Sequence, residues 1–320
     1  MAPELLIVVD TEEEFDWSKP FSRAATSTAS IPAQARAHAI YDRLGVVPTY
    51  VLDYPVATDP RAAGFLRTLK EEGRAEIGAH LHPWVTPPHE EEVSRRNSYH
   101  CNLPPGLERA KIVALTEAIE QAFGERPTIF KAGRYGFGRN TAKVLAEIGY
   151  RIDCSKVPHT DLRGDGGPDF RGTPSEPHWL AEGLFEVPLT VGFFGAAAAV
   201  GPRVDALFDS AAAARLRIPG VLARTGLVSR SRLTPEGVSA DEQCRLLEAL
   251  VRQGQRVFTL TYHSPSLEPG HTPYVRTDAD LNAFLASIEQ VLAFFRERLG
   301  GRFTTPSRLY REAAAERAAA

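Results

Sequence analysis

Apolar residues recur along this chain in two rhythms. Residues 5–9 form a continuous apolar run that ends in acid, LLIVVDTE over 5–12. That is the pattern of a strand covered on both faces. Residues 32–44 carry helical spacing and stop at Gly45. Residues 49–52 read as the next strand. Asp59 and Pro60 supply an N-cap and a first-turn proline for a helix that runs to Gly73. Residues 76–80 read as a strand. A long helix is predicted over 107–123, with apolar residues at 112, 115, 119 and 123 and a stop at Gly124. Strands then follow at 128–130, 151–154, 184–189 and 257–262. Helices are predicted at 140–148, 240–253 and 278–299.

Strand and helix thus alternate about seven times, which implies parallel strands joined by crossover helices. An open doubly wound sheet and a closed barrel both fit that order. The placement of polar residues favours the barrel. They sit at the C-terminal ends of the first, third, fourth, fifth and last strands, and a barrel brings those ends to one face, whereas an open sheet spreads them. The expected class is therefore α/β with a single domain over residues 1–320. Three stretches break the rhythm, at about 83–105, 158–177 and 196–237. The first two follow candidate catalytic strands, where loops shape a substrate cleft. The third is Ala- and Arg-rich and reads as an inserted helical excursion. The AAAERAAA tail reads as a frayed helix end.

Composition changes this picture little. The chain of 320 residues is 43% apolar and 24% charged, ordinary for a globular protein. Its 37 basic and 40 acidic residues leave a net charge of −3, so no basic surplus points to nucleic acid. Cys101, Cys154 and Cys244 are scattered, odd in number and free of CxxC spacing, and read as thiols in a reducing compartment. The opening MAPE lacks the basic region of a secretory signal. The run GFFGAAAAVG at 192–201 is too short to span a bilayer. A cytoplasmic protein without membrane insertion is expected. Oligomeric state is not readable.

Candidate chemistry lies in three strand-end runs: LLIVVDTE, AEIGAHLHPW over 75–84 and VFTLTYHS over 257–264. His80 and His82 are two apart, so on a strand both leave the same face. Asp10 and Glu12 share that spacing. Two imidazoles and one carboxylate make a three-ligand metal site with room for water, as in hydrolytic zinc enzymes. A second carboxylate serves as base. Glu13 and Glu14 read as loop charges. His263 ends the last strand and could protonate a departing amine; His271 is a weaker rival. In FKAGRYGFG, Lys131 or Arg134 could hold the base, and a backbone N–H near Tyr135 could stabilise an oxyanion. Asp153, closing the short fifth strand, could orient Lys131 or Arg134.

Taken together, these residues resemble the polysaccharide deacetylase, or NodB-homology, family. VVDTE resembles its first motif, EIGAHLHP its second, FKAGRYG its third, GYRIDCS its fourth and LTYHS its last. They occur in family order over roughly residues 5–270. The resemblance implies a distorted (β/α)7 barrel that removes acetyl groups from N-acetylated sugars with one divalent metal, most simply zinc. It implies Asp10 as base, Glu12, His80 and His82 as metal ligands, and His263 as acid. Lys131 falls where the family has an arginine tethering the base, unless Arg134 takes that role. The chain departs from the family in three places: its histidines are two rather than four apart, Glu12 replaces an Asp, and Lys131 replaces an Arg. The expected substrate is an amino sugar or a surface-polysaccharide precursor. Two alternatives stay open: an amidohydrolase-type enzyme acting on a small amide, and a degenerate sugar-binding protein.

Overall fold

The computed structural model describes residues 2–203, 205, 208, 215 and 225–319. Within the excursion expected at 196–237, residues 204, 206–207, 209–214 and 216–224 lie outside the described residues. Strands β1 (Glu4–Thr11), β2 (Thr49–Leu52), β3 (Glu76–Leu81), β4 (Ile129–Ala132) and β5 (Ile152–Asp153) run parallel. Next come β6 (His178–Trp179), β7 (Phe185–Glu186), β8 (Val191–Phe194), β9 (Ser229–Arg232), β10 (Val257–His263) and β11 (Arg302–Phe303). The main sheet has the order β10-β1-β2-β3-β4-β5-β7-β6, with β11 on β1, while β8 and β9 form a separate antiparallel pair. Helices α1 (Gln34–Leu44), α2 (Tyr54–Thr58), α3 (Pro60–Glu71), α4 (Pro105–Phe123), α5 (Arg139–Ile148), α6 (Ala240–Arg252), α7 (Asp278–Glu297) and α8 (Pro306–Ala319) complete the described elements.

The sheet curls into a barrel whose two faces follow the period of two. Leu5, Ile7, Val9, Tyr50, Phe258, Leu260 and Tyr262 pack outward in the large core shared with the helices. Leu6, Val8, Val51, Ile129, Ile152, Cys154, Phe185 and Val187 form a second, smaller cluster inside the barrel. Leu309 from α8 joins that inner cluster and plugs the barrel at the N-terminal ends of the strands. The tail continues this helix to Ala319, with residues 315–319 exposed.

Closure is irregular. No ladder joins β7 to β10. Instead the Thr259 hydroxyl donates to the Pro188 carbonyl (2.9 Å) and the Thr259 amide to Thr190 Oγ1 (2.8 Å). Leu233 then bridges Thr190 and Thr261 through its backbone. This short-stranded seam is the distortion of the barrel.

Register brings the predicted residues together. In the parallel pairs Asp10 lies beside His263, and His80 beside Lys131. All four sit at the C-terminal mouth, above the inner apolar cluster.

Candidate metal centre and cleft

Glu12, His80 and His82 converge above the barrel, their ligand atoms all within 4.8 Å of one another. His80 Nε2 lies 3.5 Å and His82 Nε2 3.4 Å from Glu12 Oε2. The other ring nitrogens are held. His80 Nδ1 donates to the Lys131 carbonyl at 3.0 Å, and His82 Nδ1 to Glu13 Oε2 at 2.8 Å. Such outer partners fix the tautomer and point the Nε2 lone pairs at a shared centre. Burial keeps both imidazoles neutral, driving His80 well below its ordinary pKa and His82 down to about 4. Glu12 is pushed well above the carboxylate range by burial, with Glu13 and Asp10 adding to the rise, and its Oε1 is buried without a partner. A buried carboxylate with an orphan oxygen, facing two lone pairs, is the donor set a divalent cation satisfies. These residues fit a metal.

Glu13 departs from the sequence expectation. It is fully buried, binds His82, accepts from Trp84 Nε1 at 2.7 Å and is raised to about 7 by burial. Its backbone N–H donates to Asp53 Oδ2 at 2.6 Å, and Asp53 also caps α2 through the Val56 amide. Glu14 bonds Ser27 and the Ser30 amide in the loop that follows β1.

Asp10 stands beside this centre. Lys131 Nζ donates to both of its oxygens, at 2.5 and 2.6 Å, and to Thr261 Oγ1 at 2.9 Å. Burial pushes the Asp10 carboxyl up, but Lys131, His80 and His263 outweigh it and hold it below its usual range. Between the two cations that sequence leaves open, the tethering position is occupied by Lys131. Arg134 turns away to Ser98 Oγ (2.5 Å) and Asp165, and its guanidinium lies 4.2 Å from the centre of the Tyr99 ring.

His263 Nε2 is 3.7 Å from Asp10 Oδ2. Its Nδ1 donates to Glu236 Oε2 at 2.7 Å, and its amide to Glu236 Oε1 at 3.0 Å. Burial opposes the imidazolium, but Glu236, Glu12 and Asp10 overcome it and lift the pKa to about 10. Glu236 follows β9 in a turn, and no motif around it signals a role. His271 lies 3.7 Å from Glu14 and not in this group.

Arg134 and Tyr135 adopt left-handed backbone, with φ of 52° and 59°, a strain that persists only where the surroundings enforce it. Gly133 must be glycine, because a Cβ there would collide with the Leu81 carbonyl and the His82 ring. Tyr135 reaches the cleft wall.

Asp153 is not brought into the site. Ile152 and Cys154 point into the barrel, so the residue between them points out. Its carboxylate accepts from Ser155 Oγ at 2.6 Å and lies against Glu186, and burial raises both acids. It orients neither Lys131 nor Arg134.

These groups form the floor of a cleft of about 780 Å³. The loops expected at 83–105 and 158–177 supply part of its wall, through Ser94, Arg95, Tyr99, Leu162 and Asp165. Phe15, Trp17, Phe21 and Tyr274 add an aromatic side, with Trp17 edge-on to His263 at 4.9 Å.

No protein-family model and no curated protein matches the sequence. Solved structures do match its shape. A Mycobacterium smegmatis protein described as a polysaccharide deacetylase superposes with a TM-score of 0.51 at 18% identity, over 99% of this chain and 95% of that one. The allantoinase PuuE gives 0.56 at 14% identity, over 98% and 90%. A GH57 branching enzyme from Thermococcus kodakaraensis gives 0.52 at 13%, over 98% and 71%. The fold that the motifs imply is thus borne out: a distorted α/β barrel shared with these structures. No helix among the described residues is long and apolar enough to cross a membrane.

Proposed function

We propose that this chain is a metal-dependent amide hydrolase that removes an acetyl or similar acyl group from an N-acetylated amino sugar. Fold alone does not choose the reaction, since its structural neighbours include an allantoinase and a branching enzyme. The observation that carries the reading is the pairing of two opposite tools over one floor. A carboxylate kept ionised by Lys131 and an imidazole kept protonated by Glu236 flank the Glu12–His80–His82 group.

Glu12, His80 and His82 would hold the ion, with zinc the natural choice for two imidazoles and a carboxylate. When bound, such an ion supplies Lewis-acid polarisation of the acyl oxygen and acidifies water. Asp10 takes the proton from the attacking water. Lys131 keeps Asp10 ionised and fixes its position by bonding both oxygens. The Tyr135 amide, on its strained turn at the cleft wall, donates to the developing oxyanion. His263 gives its Nε2 proton to the leaving nitrogen as the C–N bond breaks, while Glu236 retains the Nδ1 proton. Carboxylic acid and free amine are the products. Aromatic side chains along the cleft suit a sugar ring, and the three free thiols suit a reducing cytoplasm.

Acetate release from chitin-type oligomers and from nucleotide-linked N-acetyl sugars tests this. The zinc-loaded protein should release acetate. Asp10→Asn should lower the rate by roughly a hundred- to ten-thousand-fold, the usual worth of one positioned base. Release that persists unchanged in Asp10→Asn would refute the assignment.

A further inference from the structure

The charges lining the cleft do not balance, and the imbalance has a sign. Four carboxylates face the cleft: Asp10, Glu12, Asp165 and Glu236. Three of them have a cation within the protein, and the fourth, Glu12, would have the metal. Asp10 is held by Lys131 and Glu236 by His263, while Glu12 faces two neutral imidazoles and would be matched by the ion that the three groups hold. Asp165 alone serves two guanidinium groups, Arg95 and Arg134, and accepts the Tyr99 hydroxyl at 2.7 Å as well. One carboxylate therefore answers two cations on that wall. Arg232, at the end of β9, also lines the cleft and is exposed, and it has no acidic partner among the described residues. Of the remaining cleft cations, Lys19 is occupied by Asp16 at 3.0 Å.

The cleft thus carries surplus positive charge in a protein whose net charge is −3. Nothing in the fold requires this. Arg232 is exposed at the end of β9 and takes no part in either apolar cluster. A walled cleft of one sign concentrates ligands of the other. Guanidinium is also the group best matched to the paired oxygens of a carboxylate or phosphate.

We propose that the natural substrate carries an anionic substituent, a carboxylate or a phosphate, and that Arg232 recognises it. The inference rests on the reading of the cleft as a site for N-acetylated amino sugars. It adds the chemical class of substrate and a specificity-determining residue. Arg232 follows the seam of the barrel and is separated from Glu236 by only Leu233, Thr234 and Pro235. The residue that reads the anion and the residue that holds the acid therefore share one short segment.

Calorimetric titration of the zinc-loaded protein tests this with three probes: N-acetylglucosamine, N-acetylglucosamine 6-phosphate and N-acetylmuramic acid. An Asp10→Asn background prevents turnover of the probes. At least one anionic probe should bind about tenfold or more tightly than the neutral sugar, as a charge-assisted contact provides. The phosphate and carboxylate arms show which anion is read. Arg232→Gln should bring the ratio of affinities to about one, and raised salt should shrink it in the parent protein. Equal binding of all three probes overturns the proposal, as does binding of none. So does a preference that survives Arg232→Gln, because the anion would then be held elsewhere, by the metal or by the Arg95–Arg134 wall. The two readings fail separately: acetate release without anion preference sinks this inference alone, and anion preference without acetate release sinks the hydrolase reading.

Discussion

His263 and Glu236 show how much one unremarked side chain can set. An imidazole at a strand end titrates near neutrality, too low to stay protonated across a broad pH range. With Glu236 on Nδ1 its pKa lies at about 10. The active form has Asp10 ionised and His263 protonated, so activity should fall on the alkaline side as pH rises toward 10, and on the acid side where Asp10, held below its usual range, takes up a proton. Glu236→Gln should bring that alkaline limb down by more than one pH unit, toward the ordinary imidazole value, as a kcat against pH profile would show. The sign for stability is the same. A folded-state pKa above the unfolded value contributes stability that is present below about 6.5 and lost as pH rises through about 10. An unmoved alkaline limb would mean that another group supplies the proton. Glu236 was not legible in the sequence because its partner lies 27 residues away, and nothing local distinguishes it from a loop acid. Glu13 was legible only as part of an acidic run. Its burial comes from Trp84 and His82, which sequence places 71 and 69 residues away.

At the scale of elements, the long strands and helices follow directly from pattern. β1 has apolar residues on both faces because helices cover one side and the barrel interior the other. α4 and α6 begin and end within a few residues of their expected bounds. The two-residue strands β5, β6, β7 and β11 are another matter. So short a segment has no period to read, and the strand expected at 184–189 becomes two residues of β7 followed by the seam. This is also why Asp153 was misread. Its position at a strand end was correct, but only the phase of β5 decides which way it points, and two residues do not establish a phase. The C-terminal helix carries a prediction of its own. Leu309 is 7% exposed and closes the inner cluster from below. Leu309→Ala should cost about 2–5 kcal/mol in urea unfolding and leave metal content unchanged, because the plug and the centre lie at opposite ends of the barrel. Loss of metal in that variant would mean that the two ends are coupled.

Across the whole molecule, the fold gathers at one mouth residues that are up to 253 positions apart, from Asp10 to His263. Parallel register does most of this. Asp10 beside His263 and His80 beside Lys131 are neighbours by strand pairing alone, and the curl of the sheet then faces one pair toward the other. The histidine spacing of two is explained at this scale. His80 and His82 leave the end of β3 on the same side, so both reach Glu12 without a loop to carry the second ligand. The irregular seam between β7 and β10 was invisible in the sequence, since it rests on threonine hydroxyls and single backbone bridges, not on a ladder.

The central claim is that Glu12, His80 and His82 grip a single divalent ion. Zinc K-edge absorption on the loaded protein, read together with metal content per chain, tests it most directly. The account predicts one ion per chain, with two imidazole nitrogens and carboxylate or water oxygens as neighbours, and no stoichiometric metal in His80→Ala or His82→Ala variants that remain folded by circular dichroism. Full occupancy retained in either variant, or a spectrum without imidazole scattering, would contradict it.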